Sequence, residues 1–189
     1  MADASTEARP PSPWLMLLEG GRAPWEYAAT LAAMPWLNRV PAGDGHAVIV
    51  FPGLGASELS TRPLRDYLSR LGYAAHDWGL GRNRPTSGVM QACRQRVLDV
   101  AARHGGKVSL VGCSLGGVFA LYGAHQASEC VRNVVTLGSP HQGTWLARWS
   151  FVTNASQMQT DSRWLAQLRR DEPAHRAACC FETIGQLRK

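Results

Sequence analysis

The stretch Gly112-Cys113-Ser114-Leu115-Gly116 constrains this chain more than any other. It is a G-x-S-x-G, and its flanks give it a structural meaning. A short apolar run, Val108 to Val111, precedes it, and a stretch of small and apolar residues, Leu115 to Ala124, follows it. A strand that passes at once into a helix is the setting in which this pattern exposes a reactive serine. So sharp a turn needs small neighbours, and Gly112 and Gly116 let the backbones of strand and helix approach closely. The serine then stands at the carboxyl end of a strand and the amino end of a helix, where amides and dipole favour negative charge. The same glycines also suit an ordinary turn, and it is the apolar flanks that favour the reactive one.

The rest of the chain can be read around that turn. Trp14 to Leu18 is apolar and is broken by Gly20-Gly21; Pro24 opens a predicted helix, Pro24 to Met34, that Pro35 ends. His46 to Phe51 is a continuous β-branched run that predicts a buried strand. A loop, Pro52 to Gly55, leads to a helix capped by Ser60 or Thr61, with Pro63 in its first turn and Gly72 at its end. Tyr73 to Trp78 predicts a second strand, followed by the loop Gly79 to Pro85. Val89, Cys93, Val97 and Val100 mark a helix face closed by Gly105-Gly106. Lys107 to Val111 is the third strand, the helix after Ser114 runs to about Ala127, and Val131 to Leu137 is the fourth strand. Strands alternating with helices imply a parallel sheet with right-handed crossovers. Chemistry in such a sheet gathers at the carboxyl ends of the strands, where the loops at Pro52, Gly79, Gly112 and Gly138 all fall.

Composition narrows the class. The 189 residues suit one domain, and 45% hydrophobic residues supply a core. Five cysteines, Cys93, Cys113, Cys130, Cys179 and Cys180, have no metal-ligand spacing and predict a reduced, cytoplasmic setting. Met1 to Pro13 lacks the basic start and apolar core of a signal peptide. The net charge of +6 comes with many arginines between Arg62 and Arg103, read as solvated helix faces. Nothing in their placement resembles a nucleic-acid module. Weak contact with an anionic membrane surface is the macromolecular partner the charge leaves open. Trp14, Leu15, Trp25, Tyr27, Trp36 and Leu37 either pack on apolar surface, the expectation carried forward, or touch a membrane.

Acyl transfer on Ser114 needs a base, an orienting acid and donors for the developing oxyanion. Two donors can be placed: the amide of Leu115, directly after the serine, and the amide of Leu54 in the loop after the first strand. Cys113 beside the serine reads as a small apolar residue turned into the fold. His46, His76 and His104 precede the serine and follow neither the expected order nor the expected loops. His125 reads as structural on the helix behind the serine, and His141 as a weak substitute base. His175 is the only late histidine, and Asp161, Asp171 or Glu172 precede it in the required order Ser, acid, His. His175 as base and Asp161 as acid are therefore the candidate partners.

Four blocks carry a resemblance: G-D-G-H-A-V-I-V-F-P-G-L-G-A-S, L-G-Y-A-A-H-D-W-G-L-G-R-N, V-S-L-V-G-C-S-L-G-G and V-V-T-L-G-S-P-H-Q-G-T. In this order and spacing the chain resembles a bacterial α/β-hydrolase of the lipase/esterase type. The resemblance spans Gly43 to Trp145. It implies a three-layer α/β-hydrolase core with a mostly parallel sheet, Ser114 as nucleophile, and Leu54 and Leu115 as oxyanion donors. It also implies His141 as a pocket residue, lipid-like acyl esters as substrates, and no metal or organic cofactor. The chain departs from that pattern late. Only about 45 residues follow Trp145, which is short for a lid, further strands and both triad loops.

The expected organisation is an N-terminal helical extension over 1–42, the hydrolase core over 43–145, and a helical or irregular tail over 146–189. Ala174 to Lys189 shows neither strand nor histidine loop. The expectation is that the C-terminal strands are missing, through a truncation or a frameshift near Pro173. The function expected is a serine hydrolase of carboxylic esters acting through an acyl-enzyme on Ser114. The alternatives are an acyltransferase using the same serine, and a nearly inactive remnant or binding module without a complete triad. Oligomeric state leaves no mark in the sequence.

Overall fold

The computed structural model describes residues 13–84, 86, 88–139 and 181–182. The chain divides into two compact units, Met1–Pro41 and Ala42–Lys189.

The first unit is built on one helix, α1, Pro13–Leu37. It is longer than the predicted Pro24 to Met34 and runs through Gly20, Gly21, Pro24 and Pro35. Each proline removes one backbone donor, yet Leu- and Ala-rich stretches on both sides keep helical propensity high. Arg22 and Glu26, one turn apart, pair at 2.6 Å on its surface. Trp25 (75%), Tyr27 (57%) and Trp36 (76%) are exposed on this helix. No helix among the described residues is long and apolar enough to cross a membrane.

The second unit is a parallel sheet with helical crossovers. In chain order it contains β1 (Ala47–Phe51), α2 (Arg62–Arg70), β2 (Ala74–Asp77), α3 (Val89–His104), β3 (Val108–Cys113), α4 (Leu115–Gln126), β4 (Val131–Leu137) and β5 (Phe181–Glu182). The sheet order is β2-β1-β3-β4-β5, with all neighbours parallel. The chain steps outward from β1 to β2, then reverses and crosses β1 to reach β3. Right-handed crossovers therefore place α2 on one face and α3 and α4 on the other, giving three layers. The reversal falls between β1 and β3, so the loops leaving these two strands diverge and open a crevice at their carboxyl ends.

The interior strand β1 is buried along its whole length, as its continuous apolar run requires. Its Ile49 and Phe51 join Trp78, Val97, Val100, Leu110, Val118 and Phe119 in the core. Each such large side chain contributes about 1.5–3 kcal/mol on burial. Trp78 lies just past β2, stacks on Phe119 with centroids 6.5 Å apart, and meets Phe51 edge-on. Arg96, half-buried on α3, donates to the Asp77 carbonyl at 2.8 Å and pairs with its carboxylate at 3.2 Å. Part of the arginine-rich region thus fastens β2 to α3 instead of only coating helix faces.

Two local expectations are corrected. Thr61 is the N-cap of α2 but makes no side-chain cap; its hydroxyl donates to the Glu58 carbonyl at 3.0 Å instead. Within 174–189, read as strandless, Phe181–Glu182 forms β5 opposite Thr136 and Leu137. A Phe-Glu pair is too short to announce a strand, and the pairing with β4 is what defines it.

Candidate active site at the β3–α4 turn

β3 ends at Cys113 and α4 begins at Leu115, so Ser114 alone makes the turn. Its φ of 51° and ψ of −122° make it the only non-glycine residue with positive φ among those described. A β-carbon is strained there. Three contacts hold the serine in place. Its amide donates to the Leu137 carbonyl at the end of β4 (2.9 Å), and its carbonyl accepts from the Gly117 amide (3.0 Å). The third is steric. A Cβ on Gly112 would lie 2.3 Å from Gly117 Cα, and one on Gly116 would lie 2.4 Å from the Phe51 carbonyl oxygen. Both glycines are therefore demanded by backbone-to-backbone approach. Gly116 seats α4 directly on the end of β1.

Ser114 is exposed, whereas Leu115 beside it is buried. The first turn of α4 has no acidic side chain, so its amino-terminal partial positive charge is not neutralised from within the helix. The loop after β1 comes against the serine. The Cβ position of Gly53 lies 3.5 Å from Ser114 Cβ and 3.6 Å from the Cys113 carbonyl oxygen. Among the described residues, the backbone amides of Leu54 and Leu115 make no turn or loop hydrogen bond to a backbone acceptor. Burial pushes the Cys113 thiol up from its ordinary pKa, which disfavours the reactive thiolate.

Asn83 lies at this crevice and was missed in the sequence. It is fully buried, its Nδ2 donates to the Pro52 carbonyl at 2.7 Å, and its backbone bonds reach Gly55 and Ala56. Its position in G-L-G-R-N marks a loop at a strand's carboxyl end, but the sequence does not say which neighbouring loop it grips.

No described imidazole or carboxylate is hydrogen-bonded to Ser114. The imidazoles of His46, His76 and His104 engage Asp44, Arg132, Ser109 or each other. His125 is exposed at the far end of α4. Asp161, His175 and His141 lie outside the described residues. Among the described residues there is also no group of three His, Cys, Asp or Glu side chains able to hold a metal.

No protein-family model matches the chain. Its structure is similar to the lipase BlEst2 of Bacillus licheniformis. In the propeptide form the TM-score is 0.57 at 21% identity, over 70% of this chain and 33% of that one. In the mature form the TM-score is 0.54 at 21% identity, over 70% and 61%. Lipase B of Aspergillus fumigatus matches with a TM-score of 0.51 at 16% identity, over 66% of this chain and 33% of that one. The fold is thus that of the α/β-hydrolases. This chain spans between a third and about three fifths of the length of these lipases.

Proposed function

We propose that Ser114 is the nucleophile of a serine hydrolase acting on carboxylic esters, with lipid-like acyl esters as the substrate class. The observation that carries this reading is the exposed serine at φ 51°, between a strand end and an unneutralised helix start. Strain of this kind persists where the surroundings impose it, and it aims the hydroxyl out of the sheet.

In the proposed reaction Ser114 Oγ attacks the acyl carbonyl. The carbonyl oxygen becomes an oxyanion that accepts hydrogen bonds from the amides of Leu54 and Leu115. The intermediate collapses, the C–O bond to the alcohol breaks, and an acyl-enzyme remains. Water then gives a proton to the base and attacks the acyl carbon, the bond from Ser114 Oγ to the acyl group breaks, the carboxylic acid leaves, and the serine oxygen takes the proton back. His175 is the proposed base that takes the serine proton and delivers it to the leaving alcohol, oriented by Asp161. The chemistry calls for no cofactor. The lipase names of the similar structures support the ester class.

A fluorophosphonate probe tests this reading. Labelling of the folded chain at Ser114, absent in Ser114→Ala, supports an activated serine. The second reading is a nearly inert hydrolase remnant. It is favoured by the absence, among the described residues, of any imidazole bonded to Ser114. Folded protein that takes no label decides for it.

A further inference from the structure

We infer that Asn83 is a positioning residue that clamps the loop after β1 so that the Leu54 amide faces the oxygen developing at Ser114. The inference rests on the nucleophile reading above, and on a set of bonds that this reading does not use.

Three hydrogen bonds run between Asn83 and the loop. The side-chain Nδ2 donates to the Pro52 carbonyl (2.7 Å), the Gly55 amide donates to the Asn83 carbonyl (2.8 Å), and the Asn83 amide donates to the Ala56 carbonyl (2.7 Å). They bracket Leu54 and Gly53, whose Cβ position lies 3.5 Å from Ser114 Cβ, without occupying the Leu54 amide. The grip is braced from both sides. The loop that carries Asn83 is held by Trp78, whose buried indole donates to the Gly81 carbonyl at 2.8 Å. The Pro52 carbonyl that Asn83 holds is the group a Cβ on Gly116 would strike at 2.5 Å. One carbonyl therefore receives the clamp on one side and the helix after Ser114 on the other.

The chemistry of the residue points the same way. Asn83 has no exposed surface, and its Oδ1 is buried with no hydrogen-bond partner among the described residues. Burying half an amide unsatisfied costs free energy that an apolar residue would not. What an apolar residue lacks is the donor to Pro52. The Asn83 side chain serves that one bond, and the bond fixes the entry to the donor loop.

The test uses the full chain and two substitutions. Asn83→Ala removes the donor and the bulk. Asn83→Asp keeps the shape but sets a carboxylate against a carbonyl. With a fluorophosphonate probe, both are expected to label Ser114 about 100-fold more slowly than wild type near neutral pH, the loss that misplacing one donor brings. The Asn83→Asp rate relative to wild type is expected to rise as pH falls, because a protonated carboxyl donates to Pro52 again. A role in stability alone would not produce this pH-dependent recovery.

Amide hydrogen exchange supplies a readout independent of reactivity. In wild type the Gly55 and Asn83 amides are expected to exchange as slowly as those of β1. In Asn83→Ala they are expected to exchange fast while β1 and β3 stay protected. Labelling at the wild-type rate with unchanged exchange in both variants overturns the clamp, as does fast exchange of these two amides in wild type. Wild-type chain that takes no label but shows the exchange pattern overturns the nucleophile reading, and with it the catalytic purpose of the clamp. The clamp itself is then retained as a structural fact.

Discussion

One serine lies near the amino end of β3 and another just past its carboxyl end, and the two are opposites. Ser109, near the amino end, has what a catalytic hydroxyl is usually sought by. Its Oγ lies 2.8 Å from His46 Nε2, and His46 Nδ1 bonds the Asp44 carboxylate, which Arg132 holds at 2.5 Å. Taken as a side-chain pattern this is a Ser–His–Asp relay. Yet Ser109 is only 7% exposed and sits in extended backbone between Val48 of β1 and Asn133 of β4. It has no helix start beside it and no free amides to receive charge. Ser114, past the carboxyl end, has the reverse: exposure, strain and an unoccupied helix start, with no relay among the described residues. The comparison teaches that a relay of side chains is not a site. The backbone setting decides which hydroxyl can meet a substrate, and the Arg132–Asp44–His46–Ser109 chain is a strut joining the amino ends of β1, β3 and β4.

The largest effect that separates the two serines is covalent labelling by a fluorophosphonate, followed by intact-mass spectrometry. Ser114→Ala abolishes it; Ser109→Ala leaves the rate unchanged and lowers stability by about 1 kcal/mol through its lost hydrogen bond. Labelling that disappears with Ser109 and survives without Ser114 would reverse the comparison.

Next in size is Gly116→Ala. The new methyl meets two backbone carbonyls near 2.5 Å, and neither can swing aside. A loss of about 3 kcal/mol, the upper end for overpacking, is expected in urea denaturation. A loss well under 1 kcal/mol would show the turn to be looser than described.

Glycine substitutions sharpen the contrast by sign. Ser114→Gly is expected to raise stability by about 1 kcal/mol by releasing strain, which Ser114→Ala does not. Ser109→Gly is expected to lower it by about 1–2 kcal/mol, through strand entropy and the lost bond to His46. Equal signs would mean that Ser114 carries no strain.

The smallest effect concerns the strut. His46, and after it Arg132, hold the Asp44 carboxyl well below the usual carboxylate range. A carboxyl depressed in the folded state stabilises it above the unfolded pKa, near pH ~4, and that contribution fades as pH falls further. Because Asp44 is exposed, the effect is modest. Thermal melts should show a shallower decline below that pH in Asp44→Asn than in wild type. Parallel curves would remove the strut.

Much of this was legible from local pattern. The runs 108–111 and 131–137, and the spacing of Val89, Cys93, Val97 and Val100, put β3, β4 and α3 close to where they stand, because buried elements write their period into neighbouring residues. The turn at Ser114 was legible for the same reason. What was not legible depends on distant partners. His46 reads as the first residue of a strand, and only the sheet brings Ser109 to its ring. Asn83 reads as loop, and only the strand order sets it over Pro52. β5 has two residues, and α1 passes two prolines that local rules treat as boundaries. Asp161 and His175 lie outside the described residues, and chain order is what proposes them as acid and base.

The torsion angles of Ser114 have an evolutionary corollary. If Ser114 is the nucleophile proposed above, the residue best for catalysis and the residue best for folding differ at this position, and an AGY serine codon is one nucleotide change from glycine. A lineage that stopped needing the hydroxyl would gain thermal robustness by mutating to glycine, without passing through a weakened intermediate. Retention of serine here across diverged descendants would record continued selection for chemistry, and a drift to glycine would date its loss.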